Sequence, residues 1–388
     1  MLLESECWFQ ACGEQHGGWH LDVVSLLAVI GESIIADQAQ VITSSWACLL
    51  PRLIPAPQAF LRAERPRRLP AVPGVTVRNI AGGTQVDELN YFANVIHEVD
   101  KLTQHEVYVY EISLNDTFKD SSDKQHVLPA NRLSSPHILS FFSFLVTWGL
   151  FTAACILHDG PAALGIAVLA LQSSLGCAAW LWKPVLAVRR KDSKDARGDI
   201  VIRTRGGAFV IVRCNEDVAR QLYVGEEIAE YHLSPDLAKL MTGVATVLLM
   251  VSLRPPFYFE LHADLSKFGV VLIGNARWTM QAAIGGTFVA LNFLYWCMAL
   301  LSRKRCWNYP SIFTVKPMEL EYCKKDSYTE CLFAVICRTK DEWLREGNAA
   351  PDGANWDIWL SKAYANRGDP DWPAVAEMEQ LVLDKVSK

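Results

Sequence analysis

The stretch WTMQAAIGGTFVALNFLYWCMALLS, Trp278–Ser302, contains no charged residue. Arg277 precedes it and the basic cluster Arg303–Arg305 follows it. A helix needs about 20 mostly apolar residues to cross the roughly 30 Å hydrocarbon core of a bilayer, and this stretch is long enough. The flanking cations suit the headgroup layers, and the neighbouring rings of Tyr295 and Trp296 suit the interface. The sequence therefore predicts a membrane-spanning helix here.

Two earlier runs have the same character. His137–Leu157 and Pro161–Trp182 carry no charge and are each long enough to span a bilayer. Only residues 158–160 separate them. The two runs are therefore predicted to form a tight antiparallel helical hairpin in the membrane.

A fourth apolar run, Leu240–Leu253, is shorter than the other three. It is predicted to cross the membrane too, rather than to form a soluble core helix. Two completions are open: the helix continues through Pro255–Phe259, or the apolar segment Phe268–Ala276 partners it as a re-entrant piece.

The distribution of Lys and Arg tests the number of spans. Basic residues are dense before the first span, after the second and after the last, whereas the link at 158–160 has none. Four crossings put all three basic regions on one side, which the positive-inside rule identifies as cytoplasmic. Five crossings would put one of them on the opposite side. The sequence predicts a multi-pass membrane protein with cytoplasmic N- and C-termini and leaves the cellular membrane open.

The N-terminal region is apolar but carries acids. Glu32 and Asp37 interrupt Leu21–Ile42, and unpaired carboxylates are costly in lipid. This region is predicted to be a helix packed on the cytoplasmic side or lying at the interface, with a fifth span as the alternative. The Pro- and Arg-rich stretch Arg52–Gly74 is predicted to be a linker near anionic lipid. Two glutamates among the first six residues argue against a cleaved signal.

Between the second and third spans the sequence predicts a small folded region. Ile200–Ile202 and Phe209–Val212 are β-branched and aromatic runs around a Gly-Gly pair, which indicates a hairpin. A short helix is predicted to start after Asn215 and to stop at Gly225. Thr103–Leu114 alternates as a strand does and is predicted to extend the same sheet.

The C-terminal tail is rich in tryptophan. It is predicted to form three amphipathic helices within Ser327–Leu344, Asn355–Arg367 and Asp371–Val386. Its tryptophans are expected to pack these helices onto one another or onto the membrane face; they are Trp343, Trp356, Trp359 and Trp372.

The predicted fold class is mainly α: a polytopic membrane protein with about four transmembrane helices, a small cytoplasmic α+β hairpin region and a helical, Trp-rich tail. Six consecutive segments follow: an N-terminal apolar or interfacial helical region (1–60), a cytoplasmic linker and strand-containing region (61–136), a transmembrane helical hairpin (137–182), a cytoplasmic β-hairpin and helix (183–237), transmembrane helices three and four (238–302) and a cytoplasmic helical tail (303–388).

No motif in the sequence specifies chemistry. The net charge of −5 gives no reason to expect nucleic acid. The 11 cysteines have neither zinc nor disulfide spacing, and no HExxH, GxSxG or DDxxD occurs. We therefore predict no catalytic residue, no cofactor and no metal site. Arg277, Gln281 and Asn292 lie on roughly one helical face and form a candidate intramembrane polar face. The alternative is an interfacial arginine beside ordinary interhelical hydrogen bonds.

Arg205–Glu227 and Trp278–Leu301 resemble a poorly characterised family of multi-span membrane proteins from filamentous fungi, and the tail motif Asn355–Ala363 also fits. The resemblance runs roughly from Ser134 to the end. It implies a third span that continues almost directly into the fourth and an accessory role beside secondary-metabolite genes, and no catalytic residue can be carried over from it. The sequence departs from that pattern at Arg254–Lys267, which separates the two spans.

Three functions are compatible with these observations. The first is a non-catalytic accessory, anchoring or scaffold component whose partners are the lipid bilayer and other membrane or cytoplasmic proteins. The alternatives are a transporter or channel subunit and a membrane-embedded enzyme acting on a lipophilic metabolite. The sequence leaves the ligand and the oligomeric state open.

Overall fold

The computed structural model describes residues 32–62, 64–115, 126–131, 133–187, 196–253, 273, 276–301, 303–339 and 342–386. About 53% of the structure is helical. The chain forms two compact units, and each unit gathers three separate stretches. Unit 1 lies within Met1–Pro66, Pro129–Lys183 and Glu230–Trp307. Unit 2 comprises the intervening Arg67–Leu128, Pro184–Ala229 and Asn308–Lys388.

The longer helices are α1 (Glu32–Ile42), α2 (Tyr91–His97), α3 (Ser135–Ile156), α4 (Gly160–Trp180), α5 (Pro235–Leu253), α6 (Trp278–Ala299), α7 (Tyr328–Thr339), α8 (Ala354–Ala365) and α9 (Ala374–Val386). The strands are β1 (Val72–Asn79), β2 (Gln85–Leu89), β3 (Glu106–Leu114), β4 (Trp182–Val185), β5 (Ile200–Arg203), β6 (Phe209–Arg213), β7 (Ile228–Tyr231), β8 (Phe313–Pro317) and β9 (Cys323–Lys324).

Within the part of the chain that the structure describes, unit 1 is a cluster of helices, three of which are long and apolar enough to cross a membrane: α3, α4 and α6. They match three of the predicted spans. The helical part of the predicted hairpin is confirmed, since α3 ends at Ile156 and α4 begins at Gly160; its place in a membrane stays a prediction. The Asp159 carboxylate caps α4 by accepting a hydrogen bond from the backbone N–H of Ala162 at 3.1 Å.

The fourth predicted span corresponds to α5, which is not among these three candidates. Its first turns carry Asp236 and Lys239, so only the later part of the helix is uniformly apolar. The proposed continuations at 255–259 and 268–276 lie outside the described residues, apart from Ile273 and Ala276.

The helices of unit 1 expose many large apolar side chains, which is unlike the surface of a water-soluble protein. Examples are Phe141, Leu145, Trp148, Leu171, Val247 and Phe293. Buried positions include many polar groups, as at Ser143, Thr147, Gln172, Ser173, Gln281 and Asn292. Water penalises such an apolar surface, whereas lipid tails do not. The surface of unit 1 is therefore the kind that a bilayer covers.

Unit 2 is built on a seven-stranded mixed sheet with the strand order β2-β1-β5-β6-β3-β8, and β9 pairs with β3 beside β8. The prediction of a small hairpin region therefore underestimated the sheet. The hairpin, β5 and β6, forms only the centre of it. Its strands come from all three stretches of the unit, and pairing across such distances leaves no local signal in the sequence.

The predicted local structure around the hairpin is confirmed. β5 and β6 pair antiparallel with Ile200 opposite Val212, and β3 extends the sheet by pairing parallel to β6. One helical turn, Glu216–Val218, follows and continues as a π-helix over Ala219–Val224. It stops at Gly225, as predicted. A Cβ there would come within 2.2 Å of a backbone oxygen, so only glycine fits.

The tail forms the three predicted helices, α7, α8 and α9, and its tryptophans pack them together. Trp359 is fully buried and donates its indole N–H to the backbone oxygen of Ala374 at 2.8 Å. The ring of Trp356 packs edge-to-face against it and that of Trp372 packs at a tilt, with ring centroids 5.4 and 6.0 Å away. A buried indole with its N–H satisfied contributes large apolar contact without an unpaired donor. This core joins one face of the sheet to the tail.

Candidate functional site

A segment without α-helix lies inside the helix cluster of unit 1. Two short 3-10 turns, Trp46–Leu49 and Pro57–Phe60, flank an irregular stretch in which Leu53 and Ile54 are buried. We call residues 46–60 the inserted segment. Part of it was predicted to be a linker; that interpretation is wrong for residues 52–60, most of which are buried.

Helix side chains satisfy the backbone of the inserted segment. The N–H of Leu53 donates to the hydroxyl of Thr147 at 2.9 Å, and the Ser143 hydroxyl donates to the Leu53 oxygen at 2.6 Å. On α4, the Ser173 hydroxyl donates to the Arg52 oxygen at 2.5 Å. Irregular backbone in an apolar environment is tolerated only where such partners replace water. These hydroxyls therefore hold the segment between α3 and α4.

The inserted segment reaches well between the helices. Thr147 lies about three turns, or roughly 18 Å, along α3 from its first residue. The segment also fits closely against α4, because a Cβ at Gly176 would come within 3.3 Å of Phe60. If α3 and α4 cross a bilayer, this segment is re-entrant and reaches towards the middle of the hydrocarbon.

The inserted segment carries a fully buried cation, the guanidinium of Arg52, which is 0% exposed. Its Nη1 donates to the backbone oxygens of Ala47 and Cys48 at 3.1 and 2.9 Å. Its Nε and Nη2 have no hydrogen-bond partner among the described residues, and no described carboxylate forms an ion pair with it. A buried arginine is normally paired. Arg52 is the strongest candidate for a functional residue in unit 1.

Polar side chains from the neighbouring helices surround Arg52. The Tyr295 hydroxyl of α6 and the thiols of Cys48 and Cys177 lie close enough to interact with the guanidinium electrostatically. Five residues before Cys177 on α4 is Gln172, which is fully buried and whose amide has no partner for either atom among the described residues. The site is a polar cluster within an apolar helix bundle.

The predicted polar face divides between two environments. Arg277 lies at the start of α6 with an exposed side chain, and its backbone N–H donates to the Asp159 carboxylate at 2.7 Å. Gln281 is buried and donates to the backbone oxygen of Ala276 at 2.8 Å, while Asn292 is buried about three turns further along. The proposed role of these three residues in a path or pocket stays a prediction.

The sequence interpretation missed Arg52 because the Pro-rich stretch around it indicated a linker. A signal was nevertheless present: the residue is a single charge within an otherwise uncharged stretch, Ser45–Leu61. A lone charge in an apolar stretch of a membrane protein is a functional-site hypothesis by default. Its side-chain neighbours Cys177 and Tyr295 lie on α4 and α6, far along the chain, so nothing adjacent in sequence indicates them.

Unit 2 contains a buried acid of a different kind. Glu227 is 5% exposed, and burial raises the pKa of its carboxyl to about 8. The backbone N–H of Phe92 donates to both carboxyl oxygens at 3.3 Å, which only partly opposes the shift. Nearby, the hydroxyl of Tyr223 lies 2.7 Å from Nε2 of His97. Both contacts join α2 to the segment after β6, and we interpret them as structural.

Within the described residues, no group of three or more His, Cys, Asp or Glu side chains is arranged to hold a metal ion. Comparison of the chain with protein-family models, curated proteins and solved structures finds no match. The resemblance to fungal membrane proteins and its link to secondary metabolism therefore stay predictions.

We predict that Thr147→Val destabilises unit 1 by about 1–3 kcal/mol, because the Leu53 N–H loses its acceptor where water cannot replace it. Thermal unfolding of the detergent-solubilised chain measures the effect. Thr152→Val on the same helix is the matched control: Thr152 is exposed, and its hydroxyl bonds only to its own helix at Trp148. Equal shifts for both variants would contradict the assigned role of Thr147.

We predict that the stability of unit 2 falls as the pH rises from about 5 to 8. The unfolded Glu227 carboxyl ionises near 4.5 and the folded one near 8, so the folded state binds more protons between these values. Glu227→Gln should remove this loss, raising stability at pH 8 by on the order of a few kcal/mol. Denaturation at several pH values measures it. In the control Glu226→Gln, at an exposed ion pair with Arg68, the pH dependence should persist.

Proposed function

We propose that this chain is a multi-pass membrane protein of the accessory, anchoring or scaffold type. Unit 1 lies in the bilayer, and unit 2 is the water-exposed part that contacts protein partners on the cytoplasmic side. The observation that carries the proposal is that segments of the two units alternate along the chain. With unit 1 in the bilayer, unit 2 would therefore be anchored to the membrane at several points.

Chain connectivity supports four crossings. Because β3, β5 and β8 belong to one sheet and come from all three stretches of unit 2, a bilayer cannot divide that sheet. The chain leaves unit 2 after Ala229 and returns at Asn308, so it must cross an even number of times in between. α6 supplies one crossing, and α5, roughly 28 Å long, is the described helix that can supply the other.

Contacts inside unit 1 support the same course. The backbone N–H of His232, just before α5, donates to the oxygen of Leu181, just after α4, at 3.0 Å. The start of α6 bonds to Asp159 in the turn at the opposite end of α4. α5 therefore begins at one end of α4 and α6 begins at the other, as two antiparallel crossings require. The cytoplasmic assignment rests on the basic flanks.

A transporter or channel subunit is the second candidate, and Arg52 is the observation that favours it. Charged residues inside a membrane domain commonly line ion or substrate pathways, and re-entrant segments occur where backbone lines such a pathway. A membrane-embedded enzyme stays the third prediction, with no described catalytic arrangement to favour it.

We expect cysteines placed at the starts of α5 and α6 to react on opposite sides of sealed vesicles. Asp236→Cys and Thr279→Cys are both at exposed positions. With four crossings, a membrane-impermeant thiol reagent added from the cytoplasmic side modifies the first and not the second, above the background of the parent chain. Equal labelling would contradict the crossing by α5. A glycan on Asn115 would overturn the cytoplasmic placement, since Asn115-Asp116-Thr117 is a glycosylation sequon.

We expect proteoliposomes containing the purified chain to show no flux of inorganic anions above that of protein-free vesicles, because the proposal gives unit 1 an anchoring role. Radioactive chloride and phosphate uptake measure this. Flux that appears with the parent chain and disappears in Arg52→Gln would overturn the anchoring proposal in favour of the transporter.

A further inference from the structure

One edge of the Arg52 guanidinium is held by hydrogen bonds, and the other is buried without a hydrogen-bond partner. Nη1 faces the backbone oxygens of the inserted segment, which fixes the plane of the group. The atoms without partners are Nε and Nη2. Their N–H bonds point the same way and form the fork that binds two oxygens of a carboxylate or phosphate at once. The fold therefore presents a pre-oriented oxyanion fork.

The buried positive charge of Arg52 would be stabilised by a bound anion. It is fully buried, it belongs to an apolar helix cluster, and no described carboxylate neutralises it. Removing a cation from water without a partner is strongly unfavourable, and the hydrogen bonds of Nη1 to neutral carbonyl groups offset this only in part. Arginine also remains charged in proteins, so loss of its proton does not relieve the cost. A bound oxyanion would relieve it.

Other buried polar atoms in the same bundle also have no hydrogen-bond partner among the described residues. The Tyr295 hydroxyl lies within interaction distance of the guanidinium, although neither its oxygen nor Nε and Nη2 of Arg52 has a partner in full hydrogen-bond geometry. The Asn292 Oδ1, one turn earlier on α6, also has no partner among the described residues. The great majority of buried polar groups in folded proteins are paired, so a cluster of exceptions marks a place where a ligand or water is bound. Tyr295 is placed to donate to the same anion as Arg52.

The position of the site indicates the source of the anion. Cys177 and Tyr295 each lie about one turn inside the end of their helix, so the guanidinium beside them lies only roughly 5–8 Å below the helix ends. The basic cluster Arg303–Arg305 follows α6 at the same end. In a bilayer this is just beneath the level of the lipid phosphates, where clustered basic residues attract anionic lipid.

We propose that the Nε and Nη2 edge of Arg52, assisted by the Tyr295 hydroxyl, binds a phosphate oxyanion, and that this phosphate belongs to an anionic phospholipid of the leaflet on that side. The lipid phosphate neutralises the buried arginine and holds the inserted segment in place. The inference rests on the membrane placement of unit 1 proposed above and does not depend on an anchoring or transporting role.

The test uses the full chain in detergent with three probes: dioleoyl phosphatidic acid, dioleoylglycerol and inorganic phosphate. Native mass spectrometry and the unfolding midpoint report binding. The parent chain should retain one phosphatidic acid and unfold at a higher temperature with it, and dioleoylglycerol should do neither. Arg52→Lys keeps the charge without the fork and should weaken binding at least about tenfold. Arg52→Gln should abolish it.

Two variants keep the test decisive if Arg52→Gln does not fold. Tyr295→Phe leaves the guanidinium and should weaken phosphatidic acid binding several-fold. Arg65→Gln is the control, because Arg65 belongs to the same unit but bonds to Ala179 and Leu233 and packs on Tyr231. It should bind lipid as the parent does.

Binding of phosphatidic acid that is unchanged in Arg52→Lys and Tyr295→Phe would overturn the inference. Stabilisation by inorganic phosphate alone, lost in Arg52→Lys, would support the oxyanion site and overturn its assignment to lipid. Alkaline carbonate extraction of the parent chain tests the membrane placement of unit 1 separately from the lipid site at Arg52. A chain washed from vesicles refutes the membrane placement, whereas a retained chain without Arg52-dependent binding refutes only the lipid site.

Discussion

Backbone in an apolar environment must find its hydrogen bonds within the protein, and unit 1 depends on how it meets this constraint. The long helices satisfy their own backbone groups, but residues 46–60 do not form a continuous α-helix. Ser143, Thr147 and Ser173 supply the missing donors and acceptors around Arg52 and Leu53. These short hydroxyl side chains let an irregular segment lie between α3 and α4 where water would otherwise be required.

Placing the inserted segment in the bundle also places its arginine there. Three backbone oxygens of the segment accept hydrogen bonds from Nη1 of Arg52, so the segment and its cation support each other. The same geometry leaves the opposite edge of the guanidinium unsatisfied. The irregular segment packs among the helices. This packing therefore both stabilises the segment and leaves Arg52 with hydrogen-bond donors that a ligand can use.

A second constraint acts on the whole chain, because one sheet is assembled from three stretches that alternate with the helices of unit 1. With unit 1 in a bilayer, as proposed, every return of the chain to unit 2 would have to occur on the same side, because a sheet cannot be formed across a bilayer. The proposed helices would then cross in pairs, without reference to loop charge. The positive-inside rule leads to the same proposal from a different property of the chain.

The sequence alone determined what depends on local pattern. Long uncharged runs indicated α3, α4 and α6, alternation indicated β3, β-branched and aromatic runs around a Gly-Gly pair indicated β5 and β6, and amphipathic spacing indicated the tail helices. The tertiary structure alone decided the extent of the sheet, the burial of Arg52 and the separation of exposed Arg277 from buried Gln281. The physical reason is distance along the chain: Leu53 and Thr147 are 94 residues apart, and β3 and β8 are joined by pairs such as Leu114 and Phe313. Periodicity reports which face of an element is apolar, whereas the partner that covers that face is chosen only when the chain folds.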